Sequence, residues 1–428
     1  MLTDWIYWLT CMHPEQLVAV LGALLLLDVP RYALSKMALC LWDTSHNFWD
    51  WLNGTRKDPR YTHCPSVCVV IAGYNEEKNI VAPLRSVWGT YPRLEIIVVD
   101  DGSTDGTAEA ARRFARTHAG VVVLRLAERT GKSPALNSAL QYTTAEVIVG
   151  LDADAELRPD AIWEIVQPLA NPRVGIVSGA VLGRNPFTNL VTWLQANEFL
   201  HSVFVGRILS ARLGLLGIAS GAFAAVPRAV LDKGFGWDEG SSGDLDLTLR
   251  IRKAGYEVAF APYAECYTDM LLTWRGLIRQ RLRWDRSITI RNHARKHIDM
   301  AYFWSRNFRL SDFLLLAESF YFSVFCMYAI WGWLIWFLCR QPQGTGQILL
   351  TLYLCYLVFE IIQIFAALYY TNHWARDLLI CAVFPLLPFY NFVLLAVRLV
   401  ATTEEIFLRK SYSESFTPDR IRNATWHW

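Results

Sequence analysis

Three long apolar segments near the carboxyl end constrain this chain more than any other feature. They are Phe313–Leu338, Ile348–Tyr370 and Leu378–Val400, and a helix needs about 20 residues to cross a bilayer. Trp and Tyr cluster near their ends, as they do at membrane interfaces. Of the 428 residues, 53% are hydrophobic and 19% are charged, whereas soluble proteins carry about 25% charged residues. The sequence therefore predicts a membrane protein with three transmembrane segments over residues 312–400.

A basic run lies ahead of the first apolar segment and indicates how the chain is oriented. Its members are Arg275, Arg279, Arg281, Arg283, Arg286, Arg291, Arg295 and Lys296. Lys and Arg are in excess on the cytoplasmic side of membranes. We therefore expect residues 298–311 to form an interfacial linker and the residues before it to lie in the cytosol. The membrane is expected to be an inner or plasma membrane. The net charge of +2 does not indicate a nucleic-acid partner, and none is expected.

The two ends of the chain leave its topology open. Residues 1–52 contain an apolar run, Leu17–Leu27, which forms either one long or tilted span with its flanks or a buried amphipathic helix. Three complete crossings after a cytosolic domain would place the tail, residues 401–428, outside. That tail carries basic residues that favour the cytosol, namely Arg409, Lys410, Arg420 and Arg422. A break at Pro385 and Pro388 would make the last segment a hairpin and return the tail to the cytosol.

Residues 65–297 have the pattern of an α/β domain. Strand-like apolar runs alternate with helix-like stretches such as Lys78–Val87 and Thr107–Thr117. The apolar runs are Val67–Ala72, Glu95–Val99, Val121–Leu124 and Val147–Leu151. This alternation predicts a mostly parallel, Rossmann-like sheet with helices on both faces. Ligands of such sheets bind at the carboxyl ends of the strands, so functional residues are expected directly after the runs.

Polar residues stand at the ends of the first two strands. Tyr74 and Glu76 follow the first, and Asp100, Asp101 and Gly102 follow the second. A carboxylate next to a buried strand is costly unless it binds something, and a nucleoside offers an imide N–H and ribose hydroxyls. The Asp-Asp-Gly-Ser segment alone is equally compatible with an ordinary loop and helix cap.

Two further patterns are suited to a diphosphate and a metal ion. Lys132 follows a glycine and opens a helix, a position that suits phosphate, although the spacing is not that of a P-loop. Asp152 and Asp154 flank one alanine after the fourth strand. Such a pair can bind Mg²⁺ or Mn²⁺, which prefer oxygen ligands and share them with substrate phosphates. A solvated Asp-x-Asp loop is the alternative interpretation.

The remaining motifs lie nearer the membrane segments. Asp244 and Asp246 stand in a Gly-Asp-Leu-Asp segment that opens a predicted helix. Gln280, Arg283 and Trp284 form a Gln-x-x-Arg-Trp motif. An arginine can neutralise a leaving diphosphate, and a tryptophan ring can stack on a sugar. A basic amphipathic helix at the membrane surface is the alternative for this motif.

Together these motifs resemble the family-2 inverting glycosyltransferases of the GT-A fold. Within that family the chain is similar to membrane-integrated synthases of poly-N-acetylglucosamine, chitooligosaccharide, hyaluronan and cellulose. The resemblance implies that donor-binding residues are Tyr74, Glu76, Asp100, Asp101, Lys132, Asp152, Gln280 and Arg283. It implies that acceptor-binding residues are Ser220, Gly221, Phe223 and Trp284. It further implies a metal held by Asp152 and Asp154, and Asp244 as the general base.

One departure from the family pattern concerns the base. The residue before Asp244 is Gly243, where the family has Glu or Asp. This leaves Asp246 as the alternative base, although spacing to the following Leu and Thr favours Asp244. If Asp244 is the base, we expect Asp246 to cap the following helix.

The resemblance implies a processive enzyme that builds a β-linked polysaccharide from a UDP-sugar and passes it through the membrane. UDP-N-acetylglucosamine is the favoured donor and UDP-glucose the next. The alternatives are transfer of one sugar to a lipid-linked acceptor and an inactive scaffold or channel subunit. Membrane lipids are expected neighbours, and an accessory subunit is compatible with the sequence.

Overall fold

The computed structural model describes residues 34–53, 61–237, 242–306, 308–340 and 345–413. The predicted N-terminal apolar run and most of the predicted tail lie outside these residues. We call residues 61–301 the sheet domain, described except for 238–241.

An eight-stranded sheet forms the centre of the sheet domain, in the order β3-β2-β1-β4-β7-β6-β8-β5. Its strands are β1 (Val67–Gly73), β2 (Leu94–Asp100), β3 (Val121–Arg125), β4 (Val147–Asp152), β5 (Glu156–Leu157), β6 (Val174–Gly183), β7 (Phe223–Pro227) and β8 (Glu257–Thr268). Strands β3, β2, β1 and β4 pair in parallel, as do β6 and β8, whereas β7 and β5 run in the opposite direction. The prediction of a mostly parallel sheet is confirmed.

Both faces of this sheet are buried, as the uninterrupted apolar runs indicated. Val67, Val69 and Ile71 of β1 pack into one hydrophobic cluster. Cys68 and Val70 point to the other face and pack into a second cluster. A strand buried on both faces has no polar alternation, because successive side chains point to opposite sides.

Helices cover the sheet and lead towards the membrane segments. They are α1 (Ser35–Leu52), α2 (Val81–Val87), α3 (Thr107–Ala115), α4 (Lys132–Ala139), α5 (Ala161–Val166), α6 (Leu190–Glu198), α7 (Gly206–Arg212), α8 (Arg228–Leu231), α9 (Gly243–Lys253) and α10 (Trp274–Arg286). A wider helical turn over Phe199–Val205 joins α6 to α7, and another over Ser287–Lys296 continues α10.

In the part of the chain that the structure describes, three helical segments after the sheet domain are long and apolar enough to cross a membrane: Leu310–Trp336, Gly346–Tyr370 and Trp374–Leu408. Their helices are α11 (Leu310–Phe320), α12 (Met327–Arg340), α13 (Thr345–Tyr370), α14 (Trp374–Cys381) and α15 (Leu387–Leu408). Together with the hydropathy of the chain, they indicate integration in a membrane.

The third apolar segment is interrupted where its prolines predicted a break. A short turn at Phe384–Leu386, which contains Pro385, separates α14 from α15, because proline lacks the N–H that a continuous helix needs. Helix α15 also continues beyond the predicted limit at Val400 to Leu408.

Helix α15 lies along α10 for most of its length. Near its start, the Tyr390 hydroxyl donates to Glu198 Oε2 at the end of α6 (2.5 Å). Further along, Arg398 Nε contacts Asp285 Oδ1 at 3.3 Å. Near its end, Arg286 Nε donates to Glu404 Oε2 at 3.1 Å. Both ends of α15 therefore contact the sheet domain.

Candidate active site

The carboxyl ends of the parallel strands bring the predicted donor residues together. In the sheet register, Ala72 of β1 pairs with Asp152 and Gly73 pairs with Asp100. The neighbouring β7 is antiparallel, so the residues before it reach the same edge, and Asp152 N donates to Ala222 O at 3.1 Å. This register places the predicted acceptor segment at Ser220 and Gly221 beside the predicted metal-binding pair.

Lys132 forms an ion pair with Asp152 and also donates from Nζ to Gly221 O at 2.9 Å. Burial opposes the charge on Lys132, but the carboxylates of Asp152, Asp244 and Asp154 raise its pKa above the usual value. Lys132 is therefore a fixed positive charge among three carboxylates. Such a charge suits a diphosphate.

Asp154 lies in a concentration of negative charge. Burial, then the neighbouring carboxylates of Asp152 and Glu76, raise its pKa to about 6. A divalent cation would relieve this repulsion, and the carboxylates are the hard oxygen ligands that Mg²⁺ and Mn²⁺ prefer. Among the described residues no group of three or more His, Cys, Asp and Glu side chains could hold a metal. Because Asp152 and Asp154 offer two carboxylates, the pair fits a cation that takes its other ligands from substrate oxygens.

Asp244 approaches the acceptor segment closely. Its Oδ2 accepts a hydrogen bond from Gly221 N at 3.1 Å. A Cβ at position 221 would stand 2.8 Å from this oxygen, so only glycine permits the approach. Gly221 thus contacts Asp244 through its N–H and Lys132 through its carbonyl.

Asp246 has a different environment from Asp244. It is 4% exposed, and its carboxylate contacts Arg250 Nε (2.7 Å), His297 Nε2 (3.0 Å) and Lys296 Nζ (3.2 Å). Burial opposes its charge, but these partners hold its pKa well below the usual range. The expectation of a helix cap is wrong, because the side chain ties α9 to the end of the helical turn after α10.

The two aspartates after β2 also differ. Asp101 accepts from Thr130 N (2.6 Å) and Gly131 N (2.8 Å) and so fixes the turn before Lys132. Asp100 is fully buried, accepts from Ser103 N at 3.1 Å and faces Arg125 Nε at 3.4 Å. Donor binding by either aspartate stays a prediction.

The first strand ends in a loop that contributes an aromatic ring and a carboxylate. The Arg129 guanidinium lies 4.3 Å from the centre of the Tyr74 ring. Glu76 Oε2 accepts from Asn79 Nδ2 at 2.7 Å, and its charge acts on Asp154. Glu76 therefore lies near the predicted metal-binding pair, and its assignment to the nucleoside stays a prediction.

Phe223 is not at the surface of the site. Its side chain is 0% exposed and packs against Gly179, where an added Cβ would stand 2.1 Å from the ring. The predicted acceptor contact through Phe223 is not retained, because alternation along β7 turns this ring into the sheet core. Ser220 remains close to the site, and its N–H donates to Ser178 Oγ at 3.0 Å.

The sequence analysis missed Arg207 and Ser178. Arg207 Nη1 donates to Ser178 Oγ at 2.9 Å, and the same oxygen accepts from Ser220 N. These residues therefore support the predicted acceptor segment. Burial lowers the pKa of Arg207 to about 10, although the nearby Asp244 raises it. Neither residue belongs to a motif, and no local signal in the sequence indicates them.

The Gln-x-x-Arg-Trp motif lies on the amphipathic helix α10, as one alternative predicted. Gln280 Oε1 accepts from Arg281 Nη1 at 2.8 Å. The half-buried Trp284 packs against the core of the sheet domain. Arg283 is partly exposed. The contacts of these residues with substrate stay predictions.

Residues 68–235 match the family described as Glycosyl transferase family 2. The chain contains a family-2 glycosyltransferase domain. The matched residues include β1 to β4, the Asp152 and Asp154 pair and the Gly221 segment.

Curated relatives of this chain include poly-beta-1,6-N-acetyl-D-glucosamine synthases. That of Staphylococcus epidermidis is 28% identical over 259 residues, 59% of this chain and 60% of that protein. That of Staphylococcus aureus (strain COL) is 28% identical over 222 residues, 51% of this chain and 53% of that protein. The chain thus matches little more than half the length of these relatives.

A solved structure has a similar fold. It is the mannosyltransferase PcManGT from Pyrobaculum calidifontis in complex with GDP-Man and Mn²⁺. Its TM-score is 0.55 at 24% identity, over 88% of this chain and 98% of that one. The predicted GT-A fold is confirmed.

Proposed function

We propose that this chain is a membrane-embedded, metal-dependent inverting glycosyltransferase that uses a UDP-sugar. One observation carries the proposal: Gly221 donates its N–H to the Asp244 carboxylate and accepts through its carbonyl from Lys132, which is paired with Asp152. A candidate base and a candidate diphosphate site thus contact the backbone of one glycine. An acceptor hydroxyl held between them would have its proton near Asp244 and the donor carbon near Lys132.

The proposed reaction is a single in-line displacement. The acceptor hydroxyl oxygen bonds to the anomeric carbon while the bond from that carbon to the donor phosphate oxygen breaks. Asp244 takes the hydroxyl proton, a role worth about 10²–10⁴-fold in rate. Attack opposite the leaving UDP converts an α-linked donor into a β-linked product.

Charge on the leaving UDP is stabilised by cations of this chain. Lys132, at the start of α4, lies near the end of β4 among three carboxylates. Arg283 on α10 is the second cation. A divalent ion bound by Asp152 and Asp154 supplies further stabilisation of the diphosphate charge. Asp246 is excluded from the role of base in this proposal because its carboxylate is already paired.

The proposed donor is UDP-N-acetylglucosamine, with UDP-glucose next, and the proposed product is a β-linked polymer that passes through the membrane helices. The curated relatives named poly-beta-1,6-N-acetyl-D-glucosamine synthase support this choice. Helix α10 supports it further, since the candidate acceptor residue Trp284 lies on the helix that packs along α15. An accessory subunit is compatible with the proposal.

The test uses purified protein in lipid vesicles with several radiolabelled UDP-sugars and Mg²⁺ or Mn²⁺. We expect label from UDP-N-acetylglucosamine in a high-molecular-weight product, protected inside the vesicles from an added glycosidase. Single-sugar products that extract into organic solvent would instead favour transfer to a lipid acceptor. Absence of transfer from every UDP-sugar tested would contradict the proposal.

A further inference from the structure

Arg281 lies within the Gln-x-x-Arg-Trp segment but is not one of its motif residues. The residue is 5% exposed, although long charged side chains on an amphipathic helix usually reach solvent. Burial opposes its charge, but Glu198 and then Tyr390 raise its pKa above the usual value. A buried, permanently charged arginine is costly unless its partners are well placed.

The contacts of Arg281 reach two of the three motif residues. Its Nη1 donates to Gln280 Oε1 at 2.8 Å, and its guanidinium lies 4.3 Å from the centre of the Trp284 ring. Trp284 is three residues further along the helix and so shares its face with Arg281. The bond to Oε1 turns the amide of Gln280 so that its Nε2 group is the end left for a ligand.

Two residues outside α10 hold the guanidinium in this position. Arg281 Nη2 donates to Glu198 Oε2 at 2.7 Å. The same oxygen accepts from the hydroxyl of Tyr390 at 2.5 Å. Tyr390 is 2% exposed and lies on α15. Glu198, Arg281 and Tyr390 therefore link α6, the motif helix α10 and the last apolar helix α15.

We propose that Arg281 is a positioning residue for the acceptor saccharide. It fixes the Gln280 amide and the Trp284 ring, and Glu198 and Tyr390 fix Arg281. The inference rests on the proposed function, because Trp284 contacts an acceptor sugar only in that account. It adds that Tyr390, on the apolar helix α15, influences the affinity for the acceptor.

The test compares variants that weaken the contacts among Glu198, Arg281 and Tyr390 with a variant that weakens another contact between α10 and α15. Arg281→Lys keeps the charge for Glu198 but loses the planar contact with Trp284 and the second donor. Tyr390→Phe removes one hydroxyl and no charge. The matched control is Arg398→Gln. It removes the contact between α15 and Asp285, a residue outside the motif.

Three quantities are measured: the affinity for UDP with Mn²⁺, the acceptor-free hydrolysis of the UDP-sugar, and the KM for an oligosaccharide primer of the donor's own sugar. For Arg281→Lys we expect the primer KM to rise by about tenfold, the effect of one or two lost polar contacts. Tyr390→Phe should raise it by a smaller factor. Affinity for UDP and the rate of hydrolysis should fall by a smaller factor than primer affinity in both, because Gln280 is the one contact of Arg281 that is assigned to the donor. Arg398→Gln should resemble wild type in all three quantities.

Several outcomes would overturn the proposal. An unchanged primer KM in Arg281→Lys would do so, as would an equal rise in Arg398→Gln. Losses of UDP affinity and of hydrolysis as large as the loss of primer affinity would show a general structural role instead. If Arg281→Lys does not fold, as seen by aggregation in gel filtration, an unchanged primer KM in Tyr390→Phe overturns the proposal. Failure of the wild type to transfer from any UDP-sugar would contradict the proposed function rather than this inference.

Discussion

The Asp244 carboxylate occupies the space that a Cβ at position 221 would need. Gly221 N donates to Asp244 Oδ2 at 3.1 Å, and the added carbon would lie 2.8 Å from that oxygen and 3.2 Å from Asp244 Cγ. The backbone of the acceptor segment and the side chain of the candidate base are therefore fitted to each other. This contact makes the glycine a requirement of the site.

Gly221→Ala should lower turnover strongly, because the methyl group displaces Asp244 from its position. We expect a loss of at least about tenfold, which is part of the roughly 10²–10⁴-fold that general base catalysis contributes. Gly206→Ala is the control, since its added Cβ meets its nearest neighbour, His201 O, at 3.4 Å. Steady-state rates of both purified variants check this, and equal rates for Gly221→Ala and wild type would contradict it.

Removal of the Asp154 carboxylate should abolish turnover and weaken UDP binding in the presence of Mn²⁺. The reason is that Asp154 and Asp152 supply the hard oxygen ligands of the site. Asp160→Asn is the matched control, because this carboxylate is paired with Arg158 instead (2.9 Å). Rates and UDP affinity are measured with and without EDTA, and full activity in EDTA would rule out a catalytic metal.

The tail after α15 should lie on the same side of the membrane as the sheet domain. Both ends of α15 contact that domain through Tyr390, Asp285 and Arg286, as expected if α14 and α15 form a hairpin rather than a crossing. A cysteine at Ser413, in a chain without its native cysteines, should resist an impermeant maleimide in intact cells and react after permeabilisation. A cysteine at Gln343, between the first two candidate spans, is the control that should react from outside. Labelling of Ser413 in intact cells would rule out the hairpin.

The sequence predicted four of the eight strands, β1 to β4, within one residue at each end, because a strand buried on both faces is an unbroken apolar run. Strands β5 to β8 were not predicted. The sequence also predicted that Asp152, Asp154 and Lys132 meet, since parallel strands bring their carboxyl ends to one edge. The direction of side chains was harder to predict. Asp100 and Asp101 are adjacent, and only the register and the turn at Thr130 distinguish them.

Contacts between distant parts of the chain could not be predicted from local patterns. The resemblance implied that Phe223 binds the acceptor, but the alternation of β7 turns its side chain into the core. Arg207 reaches the acceptor segment through Ser178, 29 residues away. Tyr390 reaches Glu198 across 192 residues. Such pairs are fixed by the packing of helices and strands, which periodicity does not encode.

The central claim is that Asp244 is the base, and a comparison of Asp244→Asn with Asp246→Asn tests it most directly. Both changes keep the size of the side chain and remove its charge. Turnover is measured together with UDP affinity and thermal stability. We predict that Asp244→Asn lowers turnover by at least about 10²-fold and leaves UDP affinity and stability near wild type. Asp246→Asn should chiefly lower stability, because it loses the ion pairs to Arg250 and Lys296. A smaller loss of turnover in Asp244→Asn than in Asp246→Asn would contradict the account.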